Sequence, residues 1–434
     1  MTETKLHHRA LRSVILLILL LPACGHLFPQ DTLRVMSYNL LYYGLPYSVC
    51  DESNNNISLK DQHMRSIMAY VNPDILAVCE MIPGTANAQR LLDSALNAAG
   101  QRTYARAQPT NYSNGDLTNM LYYDPLRVGL LSQDVVINDL RDINLYKLYL
   151  KTSDLGSTAD TIFLTAVVAH LKAGSGSSDE QKRAQMTQSL MNYMNAQNLN
   201  GNIVMCGDFN LYRSSEQAWQ NLTNYPNAEI RFHDPVDSPG DWNNNVFFAH
   251  IHTQSTHAGS NGCAASGGLD DRFDFILATN AIMSGSRGLM GIASTYQAVG
   301  QDGLHFNTSV NAPPANASVP ANVADALYGM SDHLPVVFGM KTAKPLSIAS
   351  QQHFPAEIRH PNPVSGAFSC HFSHPLHDIR IELINMLSQH KSLLFEGDVQ
   401  AGTLTLDVAH CQAGMYLLCF TFTGTQIINK LLIY

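Results

Sequence analysis

Short apolar runs that end on, or begin after, a polar side chain set the rhythm of this sequence. Leu33-Arg34-Val35-Met36-Ser37-Tyr38 runs into Asn39, and Asp74-Ile75-Leu76-Ala77-Val78-Cys79 runs into Glu80. Residues 162–169 run into His170, and Asn202-Ile203-Val204-Met205-Cys206 runs into Gly207-Asp208-Phe209-Asn210. Two further runs reverse the order: Asp274 precedes Phe275-Ile276-Leu277, and Asp332-His333 precedes Leu334-Pro335-Val336-Val337-Phe338. Runs of this length and aliphatic content read as strands covered on both faces. A core does not accept an unpaired carboxylate or amide, so the polar residues belong at strand ends. Strand ends that share one edge of a sheet gather their terminal residues into a cleft. Gly207 permits a close backbone approach just before two of those polar groups.

Helical periodicity fills the spaces between the runs. Ser178-Asp179-Glu180-Gln181 opens a stretch in which Met186, Leu190 and Met194 recur every four residues, which gives one apolar face and an acidic first turn. Further helices are expected over 59–71, leading into the Glu80 strand, and over 87–99. Alternating strands and helices predict α/β layers. After Lys341 the character changes. Residues 342–360 read as a linker, and short strands then alternate with turns at 368–372, 379–385, 391–395, 402–408, 415–422 and 427–433. That spacing predicts a small β-sandwich. The expected organisation is a signal segment over 1–30, an α/β domain over 31–341, a linker over 342–360 and a β-domain over 361–434.

Composition changes the picture in two respects. The chain has 434 residues with 45% hydrophobic and 14% charged, enough for a large core and more than one domain. Its formal charge of -9 argues against a general basic platform for DNA, although a divalent ion and a local cluster can still attract phosphate. Lys5, Arg9 and Arg12 precede the apolar run 14–21, which is short for a membrane span and suited to a secretory signal. Leu21-Pro22-Ala23-Cys24 also resembles a bacterial lipobox with Cys24 as the lipidated residue, so cleavage before Asp31 and lipidation both stay open. Of eight cysteines, Cys79 and Cys206 fall in buried strands, Cys50 and Cys263 in loops, and Cys370, Cys411 and Cys419 in the tail. No CxxC pair occurs, and the pairing stays undefined.

In order and chemistry, the segments between Thr32 and Thr342 resemble the endonuclease/exonuclease/phosphatase superfamily. That group includes DNase I-like nucleases, abasic-site endonucleases, sphingomyelinases and inositol-polyphosphate 5-phosphatases. Gly-Asp-Phe-Asn at 207–210, followed by Arg-x-Asp-Phe-Ile-Leu at 272–277 and Ser-Asp-His-Leu-Pro at 331–335, carries the resemblance. It implies a four-layer α/β sandwich of two packed mixed sheets with the site at one end. A phosphodiester repels nucleophiles, so a catalyst must neutralise charge, prepare a water and protonate the leaving oxygen. Hard oxygen ligands suit Mg²⁺ or Mn²⁺. The resemblance implies Glu80 as the first metal ligand, with Asn39 and Asp332 in support. Asp208 is then expected to orient or deprotonate water, and Asn210 to donate to a phosphate oxygen. His333 is expected to contact the scissile phosphate with Asp274 holding its imidazole, and His170 to stabilise the pentacoordinate phosphate or donate the leaving-group proton.

Three features stay outside that set. Asn119 opens a strand-like run, and Lys172 follows His170 by two residues; each fits a phosphate contact or an ordinary surface role. His250, His252 and His257 crowd one stretch, and alternation puts His250 and His252 on one face of an extended segment. A second metal site and a polar loop shaping substrate access are both open readings there. Pro361-Asn362-Pro363-Val364, Gly414-Met415-Tyr416-Leu417-Leu418 and Asn429-Lys430-Leu431-Leu432 resemble the C-terminal sorting domain of the Bacteroidetes type IX secretion pathway, with a departure at 385–389. The reading is therefore an exported, metal-dependent phosphodiesterase at the bacterial surface or outside it, with nucleic acid as substrate and the secretion machinery as partner. A phospholipase C-like or sphingomyelinase-like enzyme acting on phospholipid, or a non-catalytic binding protein of the same fold, are the alternatives.

Overall fold

A computed structural model describes residues 31–44, 46–100, 102–137, 140–155, 161–346, 358–372, 375–385, 388, 390–422 and 425–434. The signal or lipobox segment, most of the linker and most of the 385–389 turn lie outside the described residues. The chain forms two compact units, Met1–Ile348 and Ala349–Tyr434.

In the first unit, β1 (Thr32–Tyr43), α1 (Ile57–Val71) and β2 (Ile75–Met81) are followed by α2 (Thr85–Arg90), β3 (Ala105–Arg106) and β4 (Thr118–Tyr123). Then come β5 (Val128–Val136), β6 (Ile143–Leu150), β7 (Phe163–His170), α3 (Ser177–Ala196), β8 (Ile203–Asp208), α4 (Gln217–Thr223) and β9 (Phe232–His233). β10 (Asp274–Thr279), α5 (Asn280–Ser284), β11 (Leu289–Ala298), α6 (Ala321–Met330) and β12 (Val336–Thr342) complete it. One sheet has the order β11-β12-β1-β2-β4-β3 and the other β5-β6-β7-β8-β10-β9. Each is mixed. β1 and β2 run parallel in the first and β7 and β8 in the second, while the other pairs are antiparallel. Both parallel pairs are joined through a long helix, as a parallel connection requires.

Alternation along the strands produces the layers. Leu33, Val35, Ile75 and Ala77 from the first sheet meet Leu164, Ala166, Val168, Val204, Cys206 and Ile276 from the second in one buried cluster. The intervening Met36, Tyr38, Leu76 and Val78 pack outward against α1 and α6, through Met64, Ile67, Met68, Val323 and Leu327. Val167, Ile203, Met205 and Phe275 pack outward against the Met186, Leu190 and Met194 face of α3. The result is helix, sheet, sheet, helix: the four-layer α/β sandwich. The helix expected over 87–99 breaks into α2, a π-helical turn at Leu91–Leu96 and a 3₁₀ turn at Asn97–Ala99. Leu91, Leu92, Ala95 and Leu96 are all buried, and wider winding puts residues five apart on one face.

The second unit has β13 (Ile358–Arg359), β14 (Ala367–Phe372), β15 (Leu376–Asn385), β16 (Lys391–Val399), β17 (Gly402–Asp407), β18 (Gly414–Phe422) and β19 (Thr425–Ile433). They form sheets β13-β14-β17 and β16-β15-β18-β19. Phe368, Cys370, Phe372 and Leu406 from one share a core with Ile379, Ile381, Leu418 and Phe420 from the other, a small β-sandwich.

Candidate functional site at the strand ends

The same alternation that builds the inner core delivers polar groups to its end. In β7 the inward series Leu164, Ala166, Val168 continues to His170, and in β8 Val204 and Cys206 continue to Asp208. Asp274 opens the inward series Ile276, Ala278 of β10. His170 pairs with Asp208 across β7 and β8, and Asp208 pairs with Asp274 across β8 and β10, so the three occupy one rung. Gly207 makes that rung possible: its φ is +136°, and a Cβ there would lie 1.9 Å from the Ala169 carbonyl oxygen.

Opposite them, Asn39 ends the inward series Leu33, Val35, Ser37 of β1. Strict alternation would send Glu80 outward with Leu76 and Val78. Its backbone instead turns left-handed, with φ 56°, and the β2 registers with β1 and β4 both shift around it. Such irregularities re-aim a side chain next to a site. Ligand atoms of Glu80, His170 and Asp208 consequently lie within 4.8 Å of one another. Leu41 and Tyr42 are also left-handed, and the buried Lys60 of α1 holds them there, its Nζ donating to the carbonyls of Leu40 and Leu41 and to Asn55 Oδ1.

The hydrogen bonds fix most of the cluster. Asn39 Nδ2 donates to Asp208 Oδ2 at 3.0 Å and lies 3.3 Å from His333 Nε2. Asp208 Oδ1 accepts the Asn210 backbone N–H at 2.9 Å, and Asn210 Nδ2 reaches the Leu171 carbonyl at 3.4 Å. His170 Nε2 stands 3.5 Å from Asp208 Oδ2 and 3.7 Å from Glu80 Oε1. His333 Nδ1 bonds Asp274 Oδ2 at 2.7 Å, and its Nε2 is 3.7 Å from Asp208 and 4.0 Å from Asp332. Asp332 Oδ2 accepts from the Ala265 N–H at 2.9 Å, while its buried Oδ1 has no hydrogen-bond partner among the described residues. All eight residues named from the sequence therefore stand in a single cluster at the strand ends.

Burial and mutual charge set their protonation. Burial raises Asp208 to about 7, against the lowering effect of His333 and with Asp274 and Glu80 adding to the rise. Burial also raises Glu80, reinforced by Asp332 and opposed by His333, Asn39 and Arg141. Burial alone would lower His333, but Asp274, Asp208 and Asp332 together hold it well above its ordinary value, as a charged imidazolium. His170 moves the other way, well below its ordinary value, through burial and then the positive Arg141 and His333.

Several neighbours had no signature in sequence. Gln254 Nε2 stands 2.6 Å from His333 Nε2 and 3.5 Å from Asp332 Oδ2, at the mouth of the site. Thr253 Oγ1 accepts the Phe273 and Asp274 N–H groups, and Ser331 Oγ ties the Asn39 carbonyl to the His333 strand. Cys50 and Cys263 form a disulfide, which joins the loop after β1 to the loop that supplies Ala265. Lys60 could not be separated from an ordinary helix-surface lysine, and burial lowers it to about 7.

The histidine-rich stretch corrects its sequence reading. Residues Val246–Ile251 form a 3₁₀ helix rather than an extended segment, so His250 is exposed while His252 is buried. His252 places its two nitrogens 3.3 Å and 2.8 Å from the carbonyls of Leu269 and Trp242, and His257 stacks on Tyr328. His252 thus spends both nitrogens on local structure, and among the described residues these three histidines form no metal-ligand group. Asn119 likewise spends its amide on Asp142, Asn144 and Val168, and Lys172 pairs with Asp179 at 2.9 Å.

Residues 36–333 match the model of the Endonuclease/Exonuclease/phosphatase family, and residues 360–434 match the Secretion system C-terminal sorting domain. The latter directs the chain by type IX secretion to the cell surface or outside. No curated protein sequence matches the chain. Similar solved structures include D. rerio TDP2 complexed with single strand DNA product, at 13% identity and TM-score 0.43 over 72% of this chain and 100% of that one. The human Nocturnin catalytic domain with bound sulfate anion is 13% identical, with TM-score 0.40 over 72% of this chain and 95% of that one. An endonuclease/exonuclease/phosphatase from Bacteroides vulgatus is 16% identical, with TM-score 0.43 over 72% and 99%.

Proposed function

The chain belongs to the endonuclease/exonuclease/phosphatase family, and from that premise we propose that it is an exported, divalent-metal-dependent phosphodiesterase, a nuclease with little base specificity. One observation carries the reading: a tight group of Glu80, His170 and Asp208 faces a charged His333–Asp274 pair across the same strand ends. A buried lysine clamp and an orphaned carboxylate oxygen on Asp332 accompany it.

The donor set fits Mg²⁺ or Mn²⁺. Glu80 is the proposed ligand, with Asp332 Oδ1 and the Asn39 amide at hand, and Asp208 and His170 border the same space. When bound, such an ion supplies charge neutralisation at the phosphate and a more acidic water. The protein side of the reaction follows from the hydrogen bonds. Asp208, steered by Asn39 and the Asn210 N–H, orients the attacking water and accepts its proton. His333, kept charged and in one orientation by Asp274, presents Nε2–H to a phosphate oxygen in the place Gln254 occupies. Asn210, whose bond to Leu171 is long, is free to donate to the phosphate. His170 is neutral, which suits positioning between the two carboxylates better than proton donation.

Purified protein incubated with plasmid DNA, RNA, sphingomyelin and bis(p-nitrophenyl) phosphate, with Mg²⁺ and then with EDTA, tests the proposal. Metal-dependent cleavage of DNA or RNA is the expected outcome; inactivity on every phosphoester would leave a binding protein of this fold. A lipid phosphodiester is the second reading, favoured by Val246 and Phe247, 58% and 84% exposed on the 3₁₀ helix that leads toward Gln254. Cleavage of sphingomyelin alone would select it.

A further inference from the structure

α3 and α4 cover the outer face of the second sheet, and between their exposed flanks lies a cleft of about 560 Å³. None of the residues lining it belongs to the strand-end cluster. Its walls are Asn and Gln side chains from both helices and from the turn after α4, together with Tyr225 and Pro226; no charged residue lines it. A neutral, amide-lined concave surface of this kind favours uncharged polar ligands over ionic ones.

The amides have already oriented one another. Asn192 Oδ1 accepts from Gln188 Nε2 at 2.8 Å and from Tyr225 Oη at 3.2 Å, which leaves the Asn192 NH₂ unspent. Asn195 Oδ1 accepts from Asn227 at 2.9 Å, and its NH₂ is likewise open. On the facing wall, Gln217 donates to Asn221 and Asn224 donates to Gln220, leaving the Gln217 and Asn224 oxygens as acceptors. Among the described residues these donors and acceptors have no other side-chain partner. Donors and acceptors therefore stand on both walls, with Gln188 Oε1 beside the Asn192 and Asn195 NH₂ groups on α3, the Gln217 and Asn224 oxygens opposite, and Tyr225 among the lining residues.

We propose that this cleft binds a neutral carbohydrate chain. Each sugar hydroxyl donates and accepts at once, which matches paired amide donors and acceptors, and the apolar face of a pyranose can lie on a tyrosine ring. The volume lies in the range of small-ligand sites, roughly 300–1,000 Å³, yet the lining lacks the apolar majority that most organic ligands require. Nucleic acid and other phosphate ligands would find no cation here. A peptide would need a free strand edge or apolar anchor pockets, and two helix flanks carrying amides supply neither.

The test is native-gel affinity electrophoresis of the full-length protein through dextran, yeast mannan and xylan, with heparin as an anionic control. Wild type should be retarded by at least one neutral polysaccharide and not by heparin. The doubly substituted Asn192→Ala, Asn224→Ala protein should lose that retardation while its hydrolysis of bis(p-nitrophenyl) phosphate stays at the wild-type level. No retardation by any neutral polymer, equal retardation of the variant, or retention only on an immobilised peptide library would overturn the proposal.

Discussion

At the scale of single residues, the centre is a set of acids and bases whose protonation is fixed by one another. Asp208 and His333 are proposed to act directly on the reaction, so Asp208→Ala and His333→Ala should each lower kcat by about 10²–10⁴-fold while the circular dichroism spectrum at the assay temperature stays that of the folded protein. Glu80→Ala should lose activity at low Mg²⁺ and regain part of it at high Mg²⁺; full activity of any of the three would remove the assigned roles. The raised Asp208 also dictates a pH limb. A carboxyl lifted to about 7 is protonated below that value and cannot accept a proton from water, so kcat/KM should climb as pH rises through about 7. His333, held well above its ordinary value, keeps its charge over that range and sets a fall only at alkaline pH. The stability sign is opposite. Between the unfolded and folded values of Asp208 the native state binds the extra proton, so the metal-free protein should lose stability as pH rises toward 7. A kcat/KM that falls between pH 6 and 8 would contradict the assignment of Asp208 as base.

At the scale of elements, the site depends on strand register and on two ties between loops. Gly207→Ala would drive a methyl into the Ala169 carbonyl at a φ that L-residues avoid, and should destabilise the fold by more than about 3 kcal/mol. Circular dichroism melting checks it, and an unchanged midpoint would mean that β7 and β8 do not approach as described. The disulfide spans 213 residues, and chain entropy gives such a link up to about 5 kcal/mol. It also steadies the loop whose Ala265 N–H fixes Asp332. Replacing Cys50 and Cys263 together by serine should therefore lower the melting midpoint and weaken Mg²⁺ binding in calorimetric titration; an unaltered titration would uncouple the loop from the site. The inward strand ends were legible because alternation is a local property. The turn of Glu80 was not, since the positive φ that reverses it arises from pairing with both neighbouring strands. The helix-rich stretch 87–99 shows the converse: its apolar content was legible, but burying Leu91-Leu92 together with Ala95-Leu96 goes with wider winding than an α-helix.

At the scale of the whole molecule, two units with separate cores divide the work. The tail sandwich buries its own Phe368, Phe372, Ile381 and Phe420, and the first unit buries three clusters without it. A chain ending at residue 346 should fold and hydrolyse phosphodiesters at the full-length rate, yet stay inside the producing cell. Fractionation with activity assay checks both, and loss of activity on truncation would show that the tail supports the catalytic unit. For the proposed nucleic-acid substrate, a net charge of -9 implies only modest affinity for long DNA.

The linear chain by itself determined the layer pattern, the polar residues at its strand ends and the change of character after Lys341, because periodicity, the cost of burying polar groups and short motifs all operate between near neighbours. Tertiary structure alone decided the partners of groups that no motif covers. His333 touches Asn39 across 294 positions, Cys50 finds Cys263, Lys60 is drawn under the β1 bulge, and His252 is turned into a hydrogen-bonded core residue. Those outcomes depend on distances in space, which sequence spacing does not encode for groups so far apart.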